Sequence, residues 1–484
     1  MASLIELPGK ILRTTFIILK FAPIRHLVGL FIILLLPLQA IAAGESTVKH
    51  LSLGECIGIA IENASSLKKA ENALQLQGSD VLRSYGGFLP KISASAGYIP
   101  SSVSRSYGQN STGVPPETFR LKTERESVDL SIVTSLNLFN GFRDYAALQS
   151  ALKSERSTEL SLARARQSVA FDVIQSYYQV LLNQEVLAIA RENLLTAKDQ
   201  LTLSERQFQI GLKALPDLYQ QQAEAARSEL SVNQAEAQLE QSRLELLRRL
   251  RLDPRTRLVL SPLPASTLAV EPVKPDIDSL VALGMQNRTD IESRKLDADA
   301  AKWQIRQAAS SWYPKLDLNV NISTGGIESL RQTIDGMETS FAYPPLGEQL
   351  ENSFGYTVSL NMSWALFDGF QTRYNVEQAK INHLNRRLDY EDLQSDIAID
   401  LQQAALEYRS AAAGIASAKT GLKAAKAAYE AIKRKYDLGA SGFVELSAAR
   451  AALFGAMSTL SQATYNLALQ KEVLDYVAGT LTID

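Results

Sequence analysis

Chemistry that depends on histidine or cysteine has little to work with in this chain. Its 484 residues include three histidines, His26, His50 and His383, and one cysteine, Cys56. A tetrahedral metal site takes about four N or S ligands, and a disulfide takes two thiols, so neither assembles within one chain. There is no Gly-x-x-x-x-Gly-Lys phosphate loop, no His-Glu-x-x-His and no Gly-x-Ser-x-Gly. Acidic neighbours such as Asp297 and Asp299 fit ordinary solvent-facing charges on a helix. The 50 basic and 52 acidic side chains leave a net charge of −2, which gives no basic field for nucleic acid. These residues point to no enzyme and no cofactor.

The chain opens with an address. Lys10, Arg13, Lys20 and Arg25 precede an apolar run over 27–36, followed by Pro37 and Ala40-Ile41-Ala42-Ala43. Positive region, short apolar core and small-residue cleavage site predict a secretory signal peptide over 1–43. An uncleaved anchor would need about 20 apolar residues, and Lys20 and Arg25 interrupt any longer window. Cys56 lies too far beyond the apolar core for a lipoprotein cysteine. It fits a small buried residue of an amphipathic helix.

The mature chain is written twice. Phe88-Leu89-Pro90-Lys91 matches Trp312-Tyr313-Pro314-Lys315, with the prolines 224 residues apart. Leu138-Phe139-Asn140-Gly141-Phe142 matches Leu366-Phe367-Asp368-Gly369-Phe370 at an offset of 228, and Phe208-Gln209-Ile210-Gly211 matches Tyr436-Asp437-Leu438-Gly439 at the same offset. The spacing places a first copy within 44–252 and a second within 276–484. The connector over 253–275 carries Pro254, Pro262, Pro264, Pro272 and Pro275, which no helix tolerates.

Each copy holds two runs of period two. Residues 92–98 alternate apolar with small polar side chains. Val128, Leu130, Ile132, Thr134, Leu136 and Leu138 alternate with Asp129, Ser131, Val133, Ser135 and Asn137. In the second copy Leu316, Leu318, Val320 and Ile322 alternate with polar residues, as do Tyr356, Val358, Leu360, Met362 and Trp364. A half-buried strand of a soluble sheet alternates in this way, and so does a transmembrane barrel strand. The strand length and the aromatic ends at Tyr98, Tyr356 and Trp364 favour the membrane. Segments 99–127 and 324–355, rich in Ser, Gly and Pro, are expected as outward-facing polar loops.

No Gly or Pro occurs over 143–210, enough helix to span roughly 100 Å. Val173, Val180, Leu187, Leu194, Leu201 and Phe208 recur every seven residues, with Ser176, Asn183, Ala190, Ala197 and Ser204 between them. The second copy repeats this as Leu401, Tyr408, Ile415, Leu422, Tyr429 and Tyr436, with Ala404, Ala411, Ala418, Ala425 and Ile432 between. The return helices keep the same spacing from Leu218 to Leu246 and from Leu446 to Leu474. Heptads this long predict supercoiled helices. A periplasmic coiled-coil scaffold would share the heptads but leave the four interposed strands without a role.

Together these features resemble the TolC family of outer-membrane channel-tunnels, over about 51–480. The most specific pieces are the two Leu-Phe-Asn/Asp-Gly-Phe motifs, then the tips 211–217 and 439–445 and the closing run 474–481. The resemblance implies an α+β membrane protein. Four transmembrane strands per chain would complete a 12-stranded barrel in a homotrimer, although eight strands from a dimer remain open on the sequence alone. A long coiled-coil helical barrel would continue it through the periplasm, with an equatorial layer from the connector and the C terminus. The implied role is an outer-membrane exit duct in contact with outer-membrane lipid. A periplasmic adaptor and an inner-membrane ABC or RND-type transporter would serve it, for type I protein secretion or small-molecule efflux. The family's adaptor docks at the hairpin tips, here Gly211, Leu212, Gly439 and Ala440. Its periplasmic gate uses polar links and an acid ring, and Tyr436, Asp217 and Glu445 align with three members. Ser441 stands where the family has the linking arginine, and Ala448 where it has the second ring acid, so the charged lock is incomplete.

Overall fold

A computed structural model describes residues 48–110, 117–264, 268 and 276–482. The predicted signal peptide lies outside these residues, as do Pro272 and Pro275 of the connector. A short strand, β1 (Val48–Leu51), leads into α1 (Leu53–Asn63). Ser52 caps that helix: its Oγ accepts from Glu55 N at 3.4 Å, and Glu55 Oε2 accepts from Ser52 N at 2.7 Å. Then come α2 (Ser65–Tyr85), β2 (Lys91–Asn110), β3 (Glu117–Phe139), α3 (Arg143–Gln209) and α4 (Leu215–Leu250). The connector contributes β4 (Arg257–Leu260). Beyond it lie α5 (Ile277–Asn287), α6 (Thr289–Ala309), β5 (Lys315–Ile334), β6 (Met337–Phe341), α7 (Leu346–Asn352), β7 (Gly355–Ser363), α8 (Gln371–Asp437) and α9 (Phe443–Val477).

The strands are longer than their apolar pattern. Pairing between β2 and β3 continues from Ile99 to Asn110, and β5 runs to Ile334, so most of 99–127 and the start of 324–355 are strand and not loop. The second segment also holds β6 and α7. Alternation reports the stretch in which one face meets an apolar medium. Beyond that stretch the ladder persists with polar residues on both faces, and no sequence period marks it. Trp364 falls one residue past the end of β7.

The sheet is antiparallel in the order β2-β3-β5, and β7 and β6 share the far edge of β5 at its two ends. The helices leave the opposite end of the sheet from the β2–β3 hairpin. α3 has 67 residues, about 100 Å of helix. Its upper half lies against α6 through serine contacts: Ser157 Oγ is 2.9 Å from Ser293 Oγ, and Ser150 Oγ donates to Ala300 O at 3.1 Å. Its lower half pairs with α4, where Gln221 Nε2 donates to Ala197 O at 3.1 Å and Asn183 Nδ2 to Gln238 O at 3.3 Å. The heptad positions Val173, Val180, Leu187, Leu401 and Tyr408 are buried, as are Asn183, Ala197, Ser204, Ala404, Ala411 and Ala418. Towards the tips the seam loosens, with Leu201, Ile415, Leu422 and Tyr429 half-buried.

The main core sits at the waist. Leu51, Cys56, Val173, Tyr177, Leu246, Leu250, Leu258, Leu260 and Leu481 form one cluster. The parallel pair β1–β4 belongs to it and went unforeseen, since four-residue strands carry too few positions to show a period. Tyr177 Oη donates to Ser261 O at 2.5 Å, tying α3 to the connector.

Candidate channel wall and hairpin tips

Strand register converts the alternation into two chemically distinct faces. Across β2, β3, β5 and β7 the rungs read Ile92–Thr134–Val320–Val358 and Ala94–Ile132–Ile322–Tyr356, with Leu136–Leu318–Leu360 beside them. The intervening rungs read Ser95–Ser131–Ser323–Gly355 and Ser135–Asn319–Ser359. Tyr356, Val358, Leu360 and Met362 are well exposed, as are Ile92, Leu130 and Ile132. The apolar stretch of β3 over 128–138, tilted as barrel strands are, rises about 28 Å, close to a hydrocarbon layer. No described helix is long and apolar enough to cross a membrane. The outer edges of β2 and β7 have no strand partner among the described residues.

The two Leu-Phe-Asn/Asp-Gly-Phe motifs turn strand into helix. Gly141 and Phe142 have φ of +66° and +63°, and Gly369 and Phe370 have +65° and +68°. A Cβ on Gly141 would lie 2.5 Å from Ser310 O, so glycine is required there. The Asn/Asp position caps the helix: Asn140 Oδ1 accepts from Asp144 N at 3.4 Å, and Asp368 Oδ2 accepts from Thr372 N at 2.7 Å. The flanking aromatics meet edge to face at 5.5 Å in both motifs. The last four residues of each motif thus have a structural task.

At the waist the groups that could titrate are held by packing. Burial, helped by the Glu55 charge, pushes the Cys56 thiol up to about 12, leaving no thiolate at neutral pH. Burial likewise raises Glu472 and Asp475, the former also through the Asp475 charge. Arg164 stacks over Tyr476 at 4.1 Å and lies 3.8 Å from Asp290, which also takes a bidentate contact from Arg288. Asp290 opposes burial with those cations, and its carboxyl stays below the usual range.

Both hairpin tips stop their helices in the same way. Gly211 and Gly439 have φ of +78° and +74°, Leu212 N donates to Gln207 O and Ala440 N to Lys435 O, each at 2.8 Å. Leu212 and Ala440 are exposed. Tyr436 meets Lys213, whose Nζ donates to its Oη at 2.8 Å and sits 4.2 Å from the ring centre. Asp217 lies in the first turn of α4, and its carboxylate makes no hydrogen bond or ion pair among the described residues. Glu445 accepts from Ser441 Oγ at 2.5 Å. Sequence reasoning missed Lys213 as a link, yet the repeat held the signal: Lys213 occupies in the first copy the place of Ser441 in the second. It also missed the ion pair of Arg450, 3% exposed, whose Nη2 lies 2.9 Å from Glu224 Oε1. Nothing in a single helix marks that pair.

Comparison with known proteins places this architecture. The profile of the outer membrane efflux protein family matches residues 56–250 and 280–480. Protein CyaE of Bordetella pertussis is 24% identical over 72% of this chain and 68% of its own length. Outer membrane protein TolC of Vibrio cholerae is 23% identical over 93% of this chain and 96% of its own. The Campylobacter jejuni CmeC outer membrane channel superposes with a TM-score of 0.73 at 17% identity, covering 88% of this chain and 85% of that one. With its apolar-faced sheet and long helical hairpins, the chain belongs to the outer membrane efflux protein family and is an outer-membrane exit duct with its helices in the periplasm.

Proposed function

We propose that three copies of this chain close one 12-stranded barrel and one helical tunnel, through which cargo driven by an inner-membrane transporter leaves the cell passively. The observation that carries this is the four-strand-wide apolar face with two unpaired edges. An open edge in hydrocarbon leaves N–H and C=O groups unsatisfied at several kcal/mol each, so only closure is tolerable. Two copies would give eight strands, whose interior is filled by side chains; three give the first hollow solution. The chain is then a signal peptide over 1–43, copies within 44–252 and 276–484, and a connector over 253–275.

A periplasmic adaptor docks at Gly211, Leu212, Gly439 and Ala440, the exposed turns farthest from the membrane, and joins the duct to an ABC or RND-type transporter. Tyr436 with Lys213, and Asp217 and Glu445 in equivalent places of the two copies, form the periplasmic gate. A wide duct need not recognise what passes, so selection between secreted protein and small molecule lies upstream. Reconstitution into a planar bilayer tests the duct: discrete conductance from a trimer-sized detergent complex is expected, and a monomer or a silent bilayer overturns it. Loss of particular proteins from the medium of a deletion strain, with drug tolerance intact, marks type I secretion; raised drug sensitivity with an unchanged medium marks efflux.

A further inference from the structure

The lipid-facing side of the sheet does not end with the apolar belt. At the top of the belt the register irregularities lie in the neighbours of β3, between Ile99 and Ser102 of β2 and at Glu328 of β5, so β3 itself stays regular. Its even-numbered residues keep one face: Ile132, Leu130 and Val128 within the belt, then Glu126, Glu124, Lys122 and Arg120 beyond it. The contacts agree, since Tyr98 of the belt donates its hydroxyl to Glu126, and Ser329 Oγ donates to Glu126 Oε2 at 3.2 Å. Across from Lys122 stands Arg105, across from Arg120 stands Tyr107, and across from Glu124 stands Arg331.

Arg105, Arg120 and Lys122 line an open cavity of about 800 Å³ with Tyr107, Thr333 and Asp335. Lys122 is bridged to Glu124, and Asp335 Oδ1 is engaged by Arg120 N at 2.8 Å. The guanidinium groups of Arg105 and Arg120 make no hydrogen bond or ion pair among the described residues. Lys122 is six residues beyond Val128, about 15 Å above the belt on a tilted strand. With the helices in the periplasm, this end of the sheet is at the cell surface.

We infer that this face is a binding site for the phosphorylated sugar headgroup of the outer leaflet's glycolipid. Guanidinium forks match phosphate oxygens in pairs, and the cations stand on the side of the sheet that continues the lipid-facing belt. A site for a free anion would have no reason to share that face. The inference rests on the outer-membrane placement of the sheet and not on trimer or cargo, so binding and conductance fail separately.

The test titrates the purified full-length protein in neutral detergent with deep-rough lipopolysaccharide, with the same lipid dephosphorylated, and with inorganic phosphate. Each cation near an anionic lipid surface contributes roughly fivefold, so the R105Q/R120Q/K122Q variant is expected to bind the phosphorylated lipid about a hundredfold more weakly. R125Q, three residues along β3 from Lys122 and on the opposite face, is expected to bind as the parent does and controls for folding and for loss of a neighbouring cation. Equal binding of the dephosphorylated lipid, an unaffected triple variant, or an R125Q loss as large as the triple variant's overturns the site. Saturation by inorganic phosphate alone at millimolar concentration would assign it to a free anion and overturn the lipid.

Discussion

Replacing Glu224 by Gln tests the buried pair that joins α4 to α9, since the second cation on that carboxylate, Arg227 at 3.9 Å, is exposed and contributes little. Arg450 is 3% exposed and its side chain meets Glu224 at 2.9 Å, while the Glu224 side chain is 16% exposed. The contact is an ion pair without hydrogen-bond geometry, and neither Nε nor Nη2 of Arg450 has a hydrogen-bond partner among the described residues, so little else compensates the charge. Removing one partner of a buried ion pair costs about 3–5 kcal/mol; the partial exposure of Glu224 favours the lower figure, about 3 kcal/mol. At 1.4 kcal/mol per tenfold, that is roughly a hundredfold in the local opening equilibrium. Amide hydrogen exchange across 218–228 and 446–457 should accelerate by that factor, while the waist helices stay protected. The E224M/R450M double variant removes both charges and should return close to the parent, because a buried pair replaced by apolar side chains is often neutral. Unchanged exchange in Glu224→Gln would refute the assigned role, as would a double variant as labile as the single one.

Other expectations follow from the same contacts. Leu401 is fully buried, and a Cβ on Gly284 would lie 2.6 Å from its Cδ1. Leu401→Ala should lower stability by about 3 kcal/mol, and adding Gly284→Ala should recover about 1 kcal/mol by filling the cavity; thermal denaturation of the four corners of the cycle reads this, and strict additivity would count against it. Gly479 has φ +73°, and its Cβ would lie 3.1 Å from both Arg288 N and Asn287 C, whereas a Cβ on Gly439 meets nothing within 4 Å. Gly479→Ala should therefore cost about 2 kcal/mol or more and Gly439→Ala about 1 kcal/mol, the backbone strain alone; the reverse order of melting temperatures contradicts the packing. Glu472 and Asp475 are raised above 4.5 and 3.8 by burial. The folded state therefore holds their protons more tightly than the unfolded chain, and their contribution to stability falls as pH rises through the raised values. Glu472→Gln should raise the melting temperature at pH 7 and flatten its decline as pH rises above 4.5; a lower melting temperature would show that its charge is needed.

Much of the architecture was legible because it obeys periods. The seven-residue recurrence from Val173 to Phe208 requires a packed helical seam, and the period-two runs require a sheet with one apolar face, whatever their neighbours are. The glycines and prolines placed the turns, since Gly141, Gly211, Gly369 and Gly439 all take positive φ and the prolines stop helices before β2 and β5. What lacked a period was lost. The ladder beyond Ile99 has polar residues on both faces, and β1 with β4 is too short to repeat. The choice of partners was decided in three dimensions alone: Lys213 meets Tyr436 across the two tips, and Glu224 neutralises Arg450 from another helix. A sequence fixes which face of an element must be covered, because that depends on local spacing. Which charge lies opposite which depends on the register between elements more than 200 residues apart, and only the folded chain sets that register.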